Sequence, residues 1–302
     1  AINYTINVTD YVNNTANYYG NFTIGNTRPT HTTPVLAADT AANKNNENLT
    51  AYNQSSTDND TDAVYSLYDW RLNSRSIAVV NMPFDTNTSI NGTTAKDYST
   101  YENNAIYNGS ISTMPFWNKT GGYNSLGAYQ FDGTDDYLTI NDNNSLDLVG
   151  SLTVEFWIKS NQTDTNIVLL EKGANSNMMF QPDISGAGLY YYNTGTKASE
   201  TARDTIFNNS WHHVVFTFNG TDKNLYIDGL LNHSATPSAQ TANAQTLTIG
   251  KRSGLDTAAL NGTLDNLLIY NRSLSAEQIF YNYNYGTGSY NKTMAPETQT
   301  GD

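Results

Sequence analysis

The first nine residues, AINYTINVT, alternate between apolar and polar side chains. A period of two residues is typical of a half-buried β-strand. The segment 10–16 carries turn-forming residues, and the apolar run NFTI follows it, so residues 1–24 are predicted to form a hairpin. Because two strands alone are marginally stable in water, this hairpin requires a partner. The residues that would face the partner are Ile2, Tyr4, Ile6 and Val8.

Most of the remaining chain has the same β character. Short runs rich in Val, Ile, Tyr, Phe and Thr alternate with clusters of Asn, Gly, Asp and Ser. Such an alternation of short strands with turns favours β-sandwiches over βαβ units. One segment, SLSAEQIFYNYNYG, indicates a helix, in which Ser275 and Gln278 would form a capping box and Gly286 would end it. The predicted fold class is therefore all-β.

From about residue 80 the pattern resembles a known family. The segments GAYQFDGTDDYLTI, SLTVEFWIKS, SWHHVVFTFNGTDKNLYIDGLLN and LNGTLDNLLIYNRSLSAEQIF occur in the order found in the laminin G-like jelly roll, part of the concanavalin A-like lectin/glucanase superfamily. The resemblance covers residues 80–286 and implies two antiparallel sheets packed face to face. The alternation in LTVEFWI and the Asp228-Gly229 turn independently favour this sandwich.

The segment 25–79 resembles the first strands of an immunoglobulin-like module of prokaryotic surface proteins, and 287–302 is a C-terminal strand or linker. These strands are too few to complete a sandwich. Residues 1–24 would complete one, either in a neighbouring subunit by strand addition or within the same chain. We expect the intermolecular arrangement, in which residues 1–24 are donor strands.

Composition narrows the function. The 302 residues carry a formal net charge of -13 and no Lys/Arg cluster, which argues against nucleic acid as a partner. Cysteine is absent, so disulfides, thiolate metal sites and cysteine nucleophiles are excluded. No run of apolar residues is long enough for a transmembrane segment, and no signal peptide is expected.

The glycosylation pattern N-x-[S/T] is unusually frequent. It occurs at 19 of the 42 asparagines, whereas independent placement would give roughly 8 or 9. The pattern predicts a densely N-glycosylated protein at an extracellular cell surface, in a style that resembles archaeal surface proteins. The alternative is that Asn-rich turns before Thr-rich strands generate the triplets. The predicted glycosylation sites are Asn3, Asn7, Asn13, Asn21, Asn48, Asn53, Asn59, Asn87, Asn91, Asn108, Asn118, Asn143, Asn161, Asn208, Asn219, Asn232, Asn261, Asn271 and Asn291.

No catalytic constellation stands out, and the protein is predicted not to be an enzyme. A glycosidase of this superfamily needs two carboxylates across a cleft, yet Glu155 has no second carboxylate on its face of the strand, and Glu171 has no evident partner. His212 and His213 are adjacent in a strand, so they point to opposite faces and cannot bind one metal together.

Calcium is the metal to expect. The resemblance to laminin G-like domains implies a structural calcium at the rim of the sandwich, with Asp97, Asn103, Asp136 and Asp265 as the candidate ligands. Solvated turns and hydrogen-bonded loops are the alternative for these four residues. A second candidate is DNDTD, where Asp58, Asp60 and Asp62 alternate without the glycine and glutamate of an EF-hand.

These observations favour a structural subunit of an extracellular filament or sheath. Copies of the chain would assemble head to tail by β-strand exchange, and N-glycans would cover the outside. The alternative is a carbohydrate-binding adhesin or lectin module. The tyrosines Tyr190, Tyr191 and Tyr192 fit either function, as part of an interface or core or as a sugar-stacking surface.

Overall fold

A computed structural model describes most of the chain: residues 2–9, 15–22, 28–38, 49–52, 54–60, 64, 66–87, 94–107, 114–162, 167–173, 179–182, 189–193, 196–200, 203–236, 242–252, 259–285 and 292–294. Within 2–22, 179–204 and 292–294, and at residues 38, 49, 94 and 285, only the backbone is described. The chain divides into two compact units, residues 1–37 with 51–66 and residues 38–50 with 67–302.

The described elements are almost entirely strands, so the all-β expectation is confirmed. In chain order they are β1 (Ile2–Thr9), β2 (Thr15–Phe22), β3 (Val35–Ala38), β4 (Leu49–Tyr52), β5 (Arg71–Leu72), β6 (Arg75–Ser76), β7 (Ala78–Met82), β8 (Thr94–Ala95), β9 (Ala105–Ile106), β10 (Phe116–Asn118), β11 (Ala128–Asp132), β12 (Leu138–Ile140), β13 (Leu152–Lys159), β14 (Leu170–Lys172), β15 (Met179–Pro182), β16 (Leu189–Asn193), β17 (Thr196–Glu200), α1 (Arg203–Ile206), β18 (Trp211–Phe218), β19 (Lys223–Ile227), β20 (Leu230–Ala235), β21 (Leu247–Ile249), β22 (Asn261–Tyr270), α2 (Ala276–Tyr285) and β23 (Lys292–Met294).

The first unit contains the expected hairpin. Strands β1 and β2 pair antiparallel in unbroken register from Ile2 opposite Phe22 to Thr9 opposite Thr15. The returning strand therefore begins earlier than the NFTI segment that the sequence favoured, because all eight residues of β1 find a partner. Among the described residues this sheet contains β1 and β2 and no third strand.

The second unit contains two large antiparallel sheets. Sheet I has the strand order β10-β11-β22-β13-β18-β19-β20, and β7 also pairs with β22. Sheet II has the order β17-β16-β15-β14-β21-β12-β9-β8. The β19–β20 connection is the predicted turn, since Asp228 and Gly229 have φ of 51° and 78°, a conformation that glycine adopts without strain.

The main core lies between the two sheets. Leu152, Val154, Phe156 and Ile158 alternate along β13 and all belong to it. Burial of their apolar surface contributes about 25 cal/mol per Å² and is the main favourable term for this unit. The intervening residues of β13 are also buried, which a half-exposed strand would not show. Something therefore covers the outer face of sheet I.

Helix α2 provides part of this cover. Ile279 belongs to a second apolar cluster together with Val215, Tyr226 and Tyr270 on the outer face. The predicted capping box sets where the helix begins: the Gln278 amide donates to Ser275 Oγ at 3.2 Å, and the Ser275 amide donates to Gln278 Oε1 at 3.1 Å. Gly286, the predicted end, lies outside the described residues.

Candidate functional site

Three central strands of sheet I place a row of polar and aromatic residues on its outer face. Trp157 on β13 lies opposite His213 on β18 and opposite Asp265 on β22. The exposed fraction is 5% for Trp157 and 0% for the other two residues. We call this row, with its neighbours, the outer-face cluster; its members are Tyr123, Glu155, Trp157, His213, Asp265, Asn282 and Tyr283.

Aromatic rings cover the centre of the cluster. The Tyr123 ring stacks on Trp157 with centroids 4.1 Å apart and an interplanar angle of 3°. Tyr283 on helix α2 stacks on the same indole at 5.7 Å. The Trp211 ring meets Tyr123 edge-on at 6.5 Å. Tyr123, Trp211 and Tyr283 are half-buried, so they form the boundary between this cluster and solvent.

A buried polar contact connects helix α2 to the sheet. His213 Nε2 lies 3.0 Å from Glu155 Oε1, and the Asn282 amide donates to Glu155 Oε2 at 2.8 Å. Both oxygens of Glu155 therefore have partners. The neighbouring His212 contacts Asp228 and points away from His213, as the alternation predicted. This arrangement positions the helix against the sheet and holds the Glu155 carboxylate between two protein partners.

The loop before β11 brings a hydrogen-bond donor to Asp265. The Tyr123 backbone amide donates to Asp265 Oδ2 at 3.1 Å, while Asp265 Oδ1 is buried and has no hydrogen-bond partner among the described residues. Burial, and secondly the charge of Asp85, raise the pKa of Asp265 well above its ordinary value. Asn124 donates to Asp85 Oδ1 at 3.3 Å. A β-carbon on Gly122 would lie 2.6 Å from Asp265 Oδ2, so the loop approaches closely because that position is glycine.

Asp97 and Asn103 have a different environment. Asp97 Oδ1 accepts from the backbone amides of Asn81 and Ser99, and Oδ2 accepts from Ser99 Oγ and the amide of Asn103. The side-chain amide of Asn103 donates to Ser145 Oγ at 2.9 Å. Because the protein already supplies four donors to the carboxylate, this pair fits a structural hydrogen-bond network better than a metal site.

Asp136 lies in a third place, the turn between β11 and β12. Its Oδ2 accepts from the Asp132 backbone amide at 2.9 Å, and side-chain oxygens of Asp132, Asp135 and Asp136 lie within 4.8 Å of one another. Burial raises the pKa of Asp136 to about 6, and the charges of the other two carboxylates add to the shift. This turn is acidic, but Asp132 is exposed.

The four candidate calcium ligands thus occupy three separate places rather than one. The donor set that best fits a cation is Asp265 with Asp85 and Asn124, because it contains two nearby carboxylates and a buried oxygen without a partner. Sequence reasoning missed Asp85 and Tyr123, since neither lies near residue 265 in the chain. In the DNDTD segment the Asp60 amide donates to Asp58 Oδ1 at 3.0 Å, and Asp62 lies outside the described residues.

The predicted glycosylation sites whose side chains the structure describes lie at the surface. Asn118 is half-buried, and the exposed ones are Asn59, Asn87, Asn143, Asn161, Asn208, Asn219, Asn232, Asn261 and Asn271. Only the backbone is described for Asn3, Asn7 and Asn21, as for the strand-exchange residues Ile2, Tyr4, Ile6 and Val8 and for Tyr190, Tyr191 and Tyr192. The sites Asn13, Asn48, Asn53, Asn91, Asn108 and Asn291 lie outside the described residues.

No helix in the described part of the chain is both long and apolar enough to cross a membrane.

Comparison with known proteins supports the sandwich fold of the second unit. The family model of the concanavalin A-like lectin/glucanases superfamily matches residues 132–280. No curated protein sequence matches the chain.

Solved structures with the same fold include toxin binding domains. The binding domain of Paraclostridial Mosquitocidal Protein 1 has a TM-score of 0.53 and 17% identity over 69% of this chain and 52% of that one. The receptor binding domain of botulinum neurotoxin D gives 0.53 and 19% over 70% and 53%. A botulinum neurotoxin serotype D ligand binding domain in complex with N-acetylneuraminic acid gives 0.50 and 17% over 68% and 50%.

The chain spans about half the length of these solved structures. At these identities they establish the fold alone. The family model and the structural neighbours together support a laminin G-like, concanavalin A-like jelly-roll domain in this chain.

Proposed function

We propose that this protein is a non-catalytic structural subunit of an extracellular surface filament or sheath, assembled head to tail by β-strand exchange and decorated with N-glycans. The observation that carries the proposal is the β1–β2 hairpin, eight paired residues per strand in a sheet with no third strand among the described residues. Such a ribbon is marginally stable alone, and its free edges are templates for strand addition.

In this proposal the hairpin completes an immunoglobulin-like module, contributed mainly by residues 25–79, of a neighbouring copy. The partner is therefore a second copy of the same chain, and the contact propagates because donor and acceptor are different surfaces. Main-chain pairing along whole strands would give a stable polymer in a chain without cysteine. The setting is a prokaryotic, archaeal-type cell surface.

Deletion of residues 1–24 tests strand exchange. Native material imaged by electron microscopy should contain filaments, and the deletion variant should be monomeric, with an unchanged thermal transition of the jelly roll. Added to full-length protein, the variant should shorten the filaments, because it offers an acceptor without a donor. Normal filaments formed by the deletion variant alone would refute the proposal.

Carbohydrate binding is the second candidate function, and the fold likeness to a toxin domain solved with N-acetylneuraminic acid favours it. Under this alternative the jelly roll is the lectin of an adhesin, and deletion of residues 1–24 leaves sugar binding intact. Calorimetric titration of the full-length protein with N-acetylneuraminic acid tests it directly. Saturable heat that persists in the deletion variant would favour the adhesin over the filament subunit.

We assign the predicted structural calcium to Asp265 and Asp85, with Asn124 beside them. A divalent cation there would neutralise two close carboxylates and provide a partner for the unpaired Asp265 oxygen. It would fix the loop before β11 against sheet I.

A further inference from the structure

Three predicted glycosylation sites from distant parts of the sequence meet at one end of sheet I. Asn161 follows β13, Asn208 precedes β18, and Asn261 begins β22. We call them the rim sequons. They are brought together by strand pairing, since Lys159 at the end of β13 lies opposite Trp211 on one side and Thr263 on the other.

Buried side chains fix the backbone at this end. The Ser160 carbonyl accepts from the Asn209 amide at 2.9 Å, and Ser160 Oγ donates to the Asn261 carbonyl at 2.6 Å. Gln162 Oε1 accepts from the Asn261 amide at 2.7 Å. Ser160 and Gln162 are both buried. The three rim sequons therefore keep a fixed spacing.

The reactive amides of the rim sequons lie at the surface. All three asparagines are exposed. Asn208 Nδ2 has one long contact, 3.3 Å to the Thr205 carbonyl, while its Oδ1 accepts from the Ser210 amide at 2.9 Å. Modification of Nδ2 would cost little in each case, since no buried contact is lost.

We propose that all three rim sequons carry N-linked glycans, which together cover this end of sheet I. In each modification the amide nitrogen bonds to the anomeric carbon of a sugar donated by a lipid-linked sugar phosphate. The bond between that carbon and the phosphate oxygen breaks, the amide loses one proton, and the phosphorylated lipid leaves. The proposal rests on the extracellular, glycosylated setting of the proposed function and does not depend on polymerisation.

The glycans would also cover the neighbouring acidic turn. Asp132 lies opposite Asn261 in the sheet, and a β-carbon on Gly133 would lie 2.8 Å from Asn261 Cβ. A protein partner docking on this end would meet three sugars anchored on adjacent strands, whose spacing in sheets is about 5 Å. Contacts between copies are therefore expected on other surfaces.

Site-resolved mass spectrometry of the native protein tests the proposal. Peptides that contain the rim sequons should carry glycans at all three in most molecules. Ser210→Ala should remove the mass of one glycan, whereas the matched Ser210→Thr should retain it, because only the threonine variant keeps the sequon. Both variants should unfold at the wild-type temperature, since Ser210 is exposed.

The outcomes of the mass spectrometry distinguish the proposed glycan cover from the proposed function of the protein. If one of the three rim sequons is unmodified in most molecules, the proposed glycan cover is wrong. If other sequons are occupied, the glycosylated setting survives that result. Glycan-free protein throughout would refute both the cover and the glycosylated setting, while filament formation would still be judged by the deletion of residues 1–24.

Discussion

Glu155 Oε1 and His213 Nε2 lie 3.0 Å apart, and neither side chain is more than 2% exposed. The second oxygen of Glu155 accepts from Asn282 on helix α2 at 2.8 Å. One carboxylate thus joins two strands and the helix that covers them. Because the site is shielded from water, removal of one partner leaves the others buried and unpaired. This lowers the free energy of unfolding more than the loss of an exposed contact does.

Replacing this carboxylate should weaken the domain strongly. Glu155→Leu leaves His213 and Asn282 without their acceptor, and we expect a loss of about 3 kcal/mol in the free energy of unfolding. Urea denaturation followed by tryptophan fluorescence measures the loss. The matched control is Glu277→Gln on the exposed side of α2, expected to change stability by less than about 0.5 kcal/mol. Equal effects of the two variants would contradict the structural role of Glu155.

Calcium should stabilise the wild-type protein through Asp265. The pKa of this carboxyl is raised in the folded state. Without a cation, the free energy of unfolding of the protein is therefore greatest at acidic pH and falls as pH rises above about 4. A cation present at 100 times its Kd would add about 2.7 kcal/mol at neutral pH, where the carboxylate is charged. Thermal denaturation with chelator and with calcium measures both effects.

Two variants make the calcium test specific. Asp265→Asn should be at least as stable as the wild type in chelator at neutral pH and should lose the response to calcium. Asp97→Asn should be destabilised under both conditions and keep the response, since Asp97 binds protein donors. A calcium response that survives in Asp265→Asn would move the site elsewhere.

Asp136 should produce a second pH dependence. Its pKa is raised to about 6 by burial, so the neutral acid is favoured in the folded protein. Asp136 therefore stabilises the folded protein below about pH 4, and this contribution to the free energy of unfolding is lost as pH rises to about 6. Asp136→Asn should remove this decline, measured as the midpoint of urea unfolding at pH 4, 5 and 6. If the variant declines as steeply as the wild type over this range, another group is responsible.

Two glycines make a matched pair for backbone packing. A β-carbon on Gly127 would collide with the Phe84 carbonyl and lie 2.7 Å from Trp117 Nε1, whereas Gly150 has no atom within 4 Å of that position. Trp117 Nε1 donates to the same carbonyl at 2.8 Å. Gly127→Ala should cost about 1–3 kcal/mol and Gly150→Ala less than about 0.5 kcal/mol, measured by thermal unfolding. Equal transition temperatures for the two variants would show that the loop relaxes.

Residues close together in the chain let the sequence determine the strand character, the helix α2 and the turn between β19 and β20. The period of two along β13, the Ser275–Gln278 capping box and the Asp228-Gly229 turn depend on residues near one another in the chain, so pattern and propensity suffice. The ordered segments from residue 80 onward also led to the jelly roll, which the family model supports.

The site depended on pairings between distant residues, and only the tertiary structure decided it. Asp265 lies beside Tyr123 and Asp85, which are more than 140 residues earlier in the chain. Asp97 lies elsewhere and accepts hydrogen bonds from backbone amides. The rim sequons likewise meet through Ser160, which no spacing in the sequence indicates. Sheet register brings such residues together, and register is fixed by the burial of a whole face rather than by any one segment.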